Sequence, residues 1–475
     1  MSEHTSEKDS ADLAAEVLDL VGRAAGGAEA EVQVDRTDYA LTRFANSFIH
    51  QNVAERTVGV RLRLHVQGRT AAGSTTLTDP DALHVLVDRT LAAARLCPPD
   101  PQWPGLAGTA PIQPAPPVDE ATTHATPEDR ANRVRAFVAA ADGLETAGYC
   151  STLRWSSTFA NSAGQEATAQ AAQAVLDGIA RAGAAADSPR GAADGLARLA
   201  AARLADLDGS ALGARAAHKA RAATDPYELP PGRYEVVLEP TAVADLLTVI
   251  AFYGLNGKAV NERRSFVELG ADQFDASLSL VDDPFAVGST ALPFDCEGTP
   301  RQRLAFVDGG TTSAVAHDRR TAAQAGTAST GHALPGGAAA GAIPVALRLL
   351  PGPAGAEVGE VDGPAADTAV AALVAQVERG LLVTDNWYTR VLDPRTLVVT
   401  GLTRNGLWLI ENGQITRPVQ NLRFTQSYPD ALAPGAVLGI GSHAVAIPNG
   451  WWEGMTLHAP ALRLRSWNYT GNATG

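Results

Sequence analysis

Apolar positions recur along this chain with two periods, and the switches between them mark its elements. Leu13, Val17, Leu20 and Val21 share one side of a helical repeat that Asp9 and Ser10 can cap and that Gly26 and Gly27 end. A first strand is predicted near Glu31–Val34. From Val58 the period falls to two: Val58, Val60, Leu62, Leu64 and Val66 face one way, and Arg61, Arg63 and His65 the other. That alternation belongs to a half-buried, antiparallel strand. Asp79-Pro80 opens another helix, because proline suits the first helical position, and Leu83, Leu86, Val87 and Leu91 form its buried stripe. Periodicity then stops. Nine of the 29 prolines lie in 97–127, which is expected to be an extended surface loop inside one domain.

Alanine dominates from Ala167 to Ala205, a stretch that reads as a second helix-rich run. Phe44-Ala45-Asn46-Ser47 returns as Phe159-Ala160-Asn161-Ser162, an internal echo or a chance recurrence in an alanine-rich chain. Pro226, Pro230, Pro231 and Gly232 punctuate a junction near residue 225. Beyond it Tyr234–Leu238 reads as a strand and Ala242–Tyr253 as a helix, followed by strands at Leu278–Val281, Arg303–Val307 and Ile343–Leu350. Asn405-Gly406 and Asn412-Gly413 predict two consecutive hairpins within Thr396–Val419, since Asn-Gly accepts the positive φ angles of a type I′ turn. The expected class is α+β. A disordered tail (1–10) precedes an N-terminal α/β domain with helices on a mixed sheet (11–225), and a mostly antiparallel, barrel-like domain follows (226–475).

Composition narrows the function classes. With 38 basic and 52 acidic residues the net charge is −14, the wrong sign for a phosphate backbone, so direct nucleic-acid binding is not expected. Cys97, Cys150 and Cys296 lie far apart, which removes a disulfide framework and a cysteine zinc site. No apolar leader and no membrane-length apolar stretch occur, so the expectation is no membrane and a cytoplasmic location. No GxxxxGK[ST] phosphate loop is present, and no two histidines share a helical face at i and i+4. Ser289, Ser313, Ser329 and Ser442 lie outside any GxSxG elbow and read as turn residues. His317, His332 or His443 can meet Asp295 or Asp318 only through the fold; structural histidines are the simpler reading. Trp387, Tyr388, Trp408, Trp451 and Trp452 line a groove or pack a core.

Several blocks resemble one family. Leu41-Thr42-Arg43-Phe44-Ala45-Asn46-Ser47-Phe48-Ile49-His50-Gln51-Asn52 resembles the first-domain signature of the TldD/PmbA family, peptidase partners also called modulators of DNA gyrase. Phe294-Asp295-Cys296-Glu297-Gly298-Thr299-Pro300, His317 to Ala323 and a long stretch from Val377 to Phe424 resemble it too, in the family's order. Catalytic members, the resemblance implies, carry HExxxH on the helix after the first strand of the C-terminal domain and add a late cysteine as a third zinc ligand. Here Thr248 and Tyr253 stand where the histidines should be, Val249 where the glutamate should be, and no cysteine follows Cys296. The departure is similar to the PmbA (TldE) branch. It implies no cofactor in this chain and a catalytic partner, a TldD-like subunit, that supplies zinc around a cleft for unfolded peptide. Trp387, Tyr388, Asn405 and Trp408 are the candidate cleft residues. Two rival readings are a stand-alone peptide-binding or assembly protein and a metallopeptidase with an unorthodox metal site.

Overall fold

A computed structural model describes residues 9–183, 193–351 and 364–472. Its first half opens with α1 (Ser10–Ala24), β1 (Glu29–Ala45), β2 (Phe48–Val66), β3 (Arg69–Thr75) and α2 (Pro80–Leu96). After the proline-rich segment and the single turn α3 (Glu120–Thr123) come α4 (Pro127–Ala140), β4 (Glu145–Asn161), β5 (Glu166–Ala182), β6 (Ala193–Ala201) and α5 (Gly209–Ala222). The six strands form one sheet in the order β3-β2-β1-β4-β5-β6. Every pairing is antiparallel, so the expected mixed sheet is corrected to an antiparallel one.

The arrangement helix, three strands, helix thus occurs twice, and the copies meet where β1 pairs with β4. The recurring Phe-Ala-Asn-Ser sits on equivalent hairpin ends. Ser47 N–H donates to the Thr146 carbonyl (3.0 Å) and its Oγ accepts from Thr146 N–H (3.0 Å). In the other copy Ser162 N–H donates to the Ala30 carbonyl (2.8 Å) and its Oγ accepts from Ala30 N–H (3.0 Å). Each serine ties its own hairpin to the first strand of the opposite copy, so the echo is structural.

The Ala167–Ala205 run is not α-helical: most of its described residues form β5 and β6, a single 3-10 turn begins at Leu204, and 184–192 lie outside the described residues. Packing decides this against alanine's helix preference. A Cβ on Gly178 of β5 would stand 2.5 Å from the Phe137 ring of α4, and one on Gly195 of β6 would stand 2.1 Å from the Ala216 carbonyl of α5. Small residues let both helices lie directly on the strands.

The second half begins with β7 (Gly232–Leu238), α6 (Pro240–Val249), α7 (Gly257–Asn261), β8 (Leu280–Asp282), β9 (Leu304–Asp308) and β10 (Thr311–Thr312). It continues through α8 (Arg319–Ala325), α9 (Gly337–Ala340), β11 (Leu347–Leu349), α10 (Pro364–Val374), β12 (Arg379–Asp393) and β13 (Val398–Glu411). The chain closes with β14 (Gln414–Pro418), β15 (Leu422–Ser427), α11 (Tyr428–Leu432), β16 (Val437–Pro448) and β17 (Thr456–Asn472). These eleven strands make a mixed sheet, antiparallel except for the pairs β7 with β12 and β11 with β17. Because β7 also pairs with β17, the sheet curls. It is not a closed barrel, since β14 and β16 each pair along one side among the described residues.

Only the second Asn-Gly makes a hairpin. Asn412-Gly413 joins β13 to β14, whereas Asn405-Gly406 lies inside β13 at a bulge opposite Thr384. Asn405 has φ 59° and Gly406 φ 132°, and a Cβ on Gly406 would strike the Trp408 ring at 2.0 Å. A bulge absorbs positive φ as a turn does, and pairing with β12 on both sides of it carries the strand onward in place of reversing it. One buried apolar cluster runs from Phe44, Phe137 and Leu212 in the first half to Val236, Leu246 and Trp467 in the second.

Candidate functional site

α6 begins with Pro240 and drives Val243, Leu246, Leu247 and Val249 into the core. It continues as a π turn over Ile250–Gly254, in which Leu255 N–H donates to the Ile250 carbonyl (2.9 Å). A turn closed from i to i+5 brings positions five apart toward one side of the helix, the separation of Thr248 and Tyr253. Their chemistry is spent or apolar. Thr248 Oγ1 donates to the Ala244 carbonyl at 2.8 Å, Val249 is 1% exposed, and Tyr253 stands half-buried, edge-on to Phe252 (5.0 Å). The hollow beside Thr248, walled by Ile343, Trp452 and Met455, measures ≈ 10 Å³. One water needs ~10–15 Å³. A bonded hydroxyl, a core valine and a phenol do not fit zinc, which takes thiolate, imidazole or carboxylate.

Phe252, beside them, centres an aromatic cluster with Trp451 (5.7 Å) and Trp452 (5.5 Å). The other aromatic candidates lie elsewhere. Trp387 and Tyr388 are exposed on β12, while Trp408 is buried with Val237, Leu382 and Ile410. Asn405 is buried too, and its Nδ2 donates to Asp385 Oδ2 (3.0 Å). Asp385 belongs to a polar layer between the halves that includes Arg198 paired with Asp177 (3.3 Å) and Asp245 accepting from Thr389 (2.9 Å). Burial pushes the Asp245 carboxyl up to about 7. Trp387, Tyr388, Asn405 and Trp408 therefore do not line one cleft.

A second opening lies between the two halves, a cleft of ≈ 400 Å³. Its floor is the polar face of β1 to β3, and its roof carries Cys296, Glu297, Asp318 and Arg320 with the 333–337 segment. Arg63 joins the two sides: its Nε lies 2.6 Å from Glu31 Oε1 and its Nη2 2.8 Å from Glu297 Oε1. Glu297 Oε2 in turn accepts the Arg319 N–H (2.9 Å), and Arg320 grips Asp100 at 2.9 and 2.6 Å. The proline-rich 97–127 segment straps this junction, with the Arg319 guanidinium on the Leu106 carbonyl (2.6 Å) and Trp103 Nε1 on Glu29 (2.7 Å).

Asp295 accepts N–H bonds from Glu297, Thr299 and Ala333, all at 2.9 Å, although burial and the Glu297 charge raise its carboxyl. Burial also lifts the Cys296 thiol well above its ordinary value, so it stays protonated. His317 and His332 converge on Thr330, whose Oγ1 accepts from His317 N–H (2.7 Å) and lies 2.9 Å from His332 Nδ1. His332 Nε2 faces Asp282 (3.2 Å), whereas His443 sits on β16 beside Ser442 (2.8 Å). Among the described residues no three of His, Cys, Asp and Glu gather as metal ligands. Ser313 donates to the Thr311 carbonyl and Ser289 accepts from Ala291 N–H, both turn bonds, whereas Ser329 donates to the His317 carbonyl across the loop that joins them.

Sequence reasoning placed Arg63 on a polar strand face without its partners. The available signal was Arg61, Arg63 and His65 on alternate positions, more charge than a solvated face needs.

Burial pushes Glu31 up to about 7 against the pull of Arg63. Between the unfolded value near 4.5 and about 7 the folded chain keeps a proton that the unfolded chain has lost. Stability contributed by this group is therefore full below that window and declines as the pH rises through it. Melting temperature should drop between about pH 5 and about pH 8, and Glu31→Gln should flatten the slope. Identical slopes would remove Glu31 as the cause.

A duplicated antiparallel sheet joined to a curled mixed sheet, with a charged cleft lined from both, defines a two-sheet α+β class. Residues 231–471 match the description PmbA/TldA metallopeptidase C-terminal domain, and the chain belongs to this PmbA/TldD family. TldE from Thermococcus kodakarensis is similar in structure, with 17% identity, TM-score 0.82, and coverage of 97% of this chain and 100% of that one. A Thermotoga maritima protein described as a modulator of a DNA gyrase gives 18%, 0.80, 97% and 100%. One of like description from Bacteroides thetaiotaomicron gives 19%, 0.79, 97% and 98%. No curated protein matches. Among the described residues no helix is long and apolar enough to cross a membrane.

Proposed function

We propose that this chain is the non-catalytic subunit of a cytoplasmic, two-subunit zinc metallopeptidase that acts on unfolded peptides. In this reading a TldD-like partner supplies the metal, and this chain completes the substrate cleft. The observation that carries it is the state of α6. Thr248 is bonded to its own helix, Val249 is in the core, and the adjoining hollow is smaller than a substrate requires. The surface around it remains suited to contact, since Phe252, Trp451 and Trp452 form an aromatic cluster open to solvent at Trp451.

Light scattering of this chain mixed with the TldD-like protein of the same organism should show a 1:1 complex at micromolar concentration. Unfolded peptide should be cleaved by the complex and not by this chain alone. Separate elution, with the catalytic protein fully active by itself, rejects the subunit reading and leaves the stand-alone peptide-binding one.

A further inference from the structure

The outer face of β12, β13 and β15 differs in charge from the chain that carries it. Register defines that face: Trp387 stands opposite Leu402 and Leu402 opposite Arg423, while Arg390 stands opposite Thr400 and Thr400 opposite Thr425. Outward positions of these strands between Trp387 and Ser427 include Arg390, Arg404 and Arg423 against one carboxylate, Asp393 at the end of β12, which is engaged by Arg395 N–H (3.0 Å) and Thr396 Oγ1 (2.6 Å). The whole chain has net charge −14. A local basic face on an acidic protein is a selective feature, because it attracts what the remaining surface repels.

Two further observations show that the face is organised. The Arg404 guanidinium lies 4.4 Å from the centre of the Trp387 ring, and the Arg390 guanidinium 4.3 Å from that of Tyr388. Such stacking fixes both ring and charge while leaving guanidinium N–H donors for another acceptor. The register against β13 also slips between Trp387 and Arg390, and Tyr388 is held there at φ 56°. A bulky side chain avoids that region, so the backbone is strained to present two successive rings, 50% and 63% exposed. Burial is not what the strain achieves. Display is.

We infer that this face docks an acidic surface of the partner subunit. Partner carboxylates meet Arg390, Arg404 and Arg423, and its apolar side chains cover Trp387 and Tyr388. The inference rests on the two-subunit reading and adds where the partner sits and what its surface must carry. Charge selects the occupant: the face offers three guanidiniums against the single carboxylate of Asp393, itself held in a turn at the strand end, and arginine with tryptophan and tyrosine are the residue types that dominate binding at protein interfaces.

The test measures the affinity of the TldD-like subunit for this chain and for two variants, Arg404→Glu/Arg423→Glu and Trp387→Ala/Tyr388→Ala, each checked for folding by circular dichroism. Each variant should bind about tenfold more weakly or worse, and the wild-type complex should weaken between about 50 and about 500 mM salt. If the wild type binds and both variants bind equally well, the docking face is wrong while the subunit reading stands. If the wild type forms no complex, both fall. Binding of a single-stranded oligonucleotide that both variants lose would overturn the inference in favour of a nucleic-acid surface.

Discussion

Glutamate in place of Val249 should destabilise this chain by about 4 kcal/mol and still produce no zinc-dependent peptide cleavage. In the proposed reading the substitution supplies the residue type that a catalytic relative carries on this helix, so it separates sequence position from environment. Val249 is 1% exposed and belongs to the main apolar cluster. A carboxyl brought there loses its water and finds no cation on its own helix face, where its neighbours are the apolar Ala242 and Leu246 and the carboxyl of Asp245. Val249→Ala is the control for lost volume alone and should cost about 2 kcal/mol. Urea unfolding gives both numbers, and metal analysis after dialysis gives the zinc content. A glutamate variant as stable as the alanine one, holding stoichiometric zinc, would falsify the account of α6.

Arg63→Ala is expected to be almost as damaging for the opposite reason, because it removes a charge that two buried carboxylates need. Glu31 and Glu297 are 5% and 3% exposed, and Arg63 lies within 2.8 Å of both. Although burial works against its charge, these two carboxylates hold the guanidinium above its ordinary value. Removing one member of a buried ion network costs about 3–5 kcal/mol, since the partners stay desolvated. The combined change Glu31→Gln, Arg63→Met, Glu297→Gln leaves no stranded charge and should recover most of that loss. Equal losses for the single and the triple variant would show that packing of the arginine stem, and not charge, holds the halves together.

The origin of these two effects was unequally visible along the chain. Val249 sits in a stretch whose apolar content alone predicts a buried helix, and α6 formed where the pattern placed it. Arg63 was readable as one charge in an alternating strand. Its partner Glu297 is 234 residues away, and no local period encodes a contact across that separation. β5 and β6 show the same limit from the other side: their alanines favour a helix locally, and only the close approach of α4 and α5 makes small residues in strands the better solution. Asn405-Gly406 is a third case. The pair demands positive φ, which a turn and a bulge both satisfy, and pairing with β12 chose the bulge.

By itself the sequence determined what depends on near neighbours along the chain: the helices α1, α2 and α6, the alternation in β2, and the Asn412-Gly413 turn. Residue type and short-range period are local quantities, and they need no fold to be read. Tertiary structure alone decided the antiparallel duplication around β1 and β4, the Glu31–Arg63–Glu297 bridge, and the display of Trp387 and Tyr388 on one basic face. Each of these joins residues distant in sequence, and their energy comes from desolvation and cross-strand register, which exist only once the strands have paired.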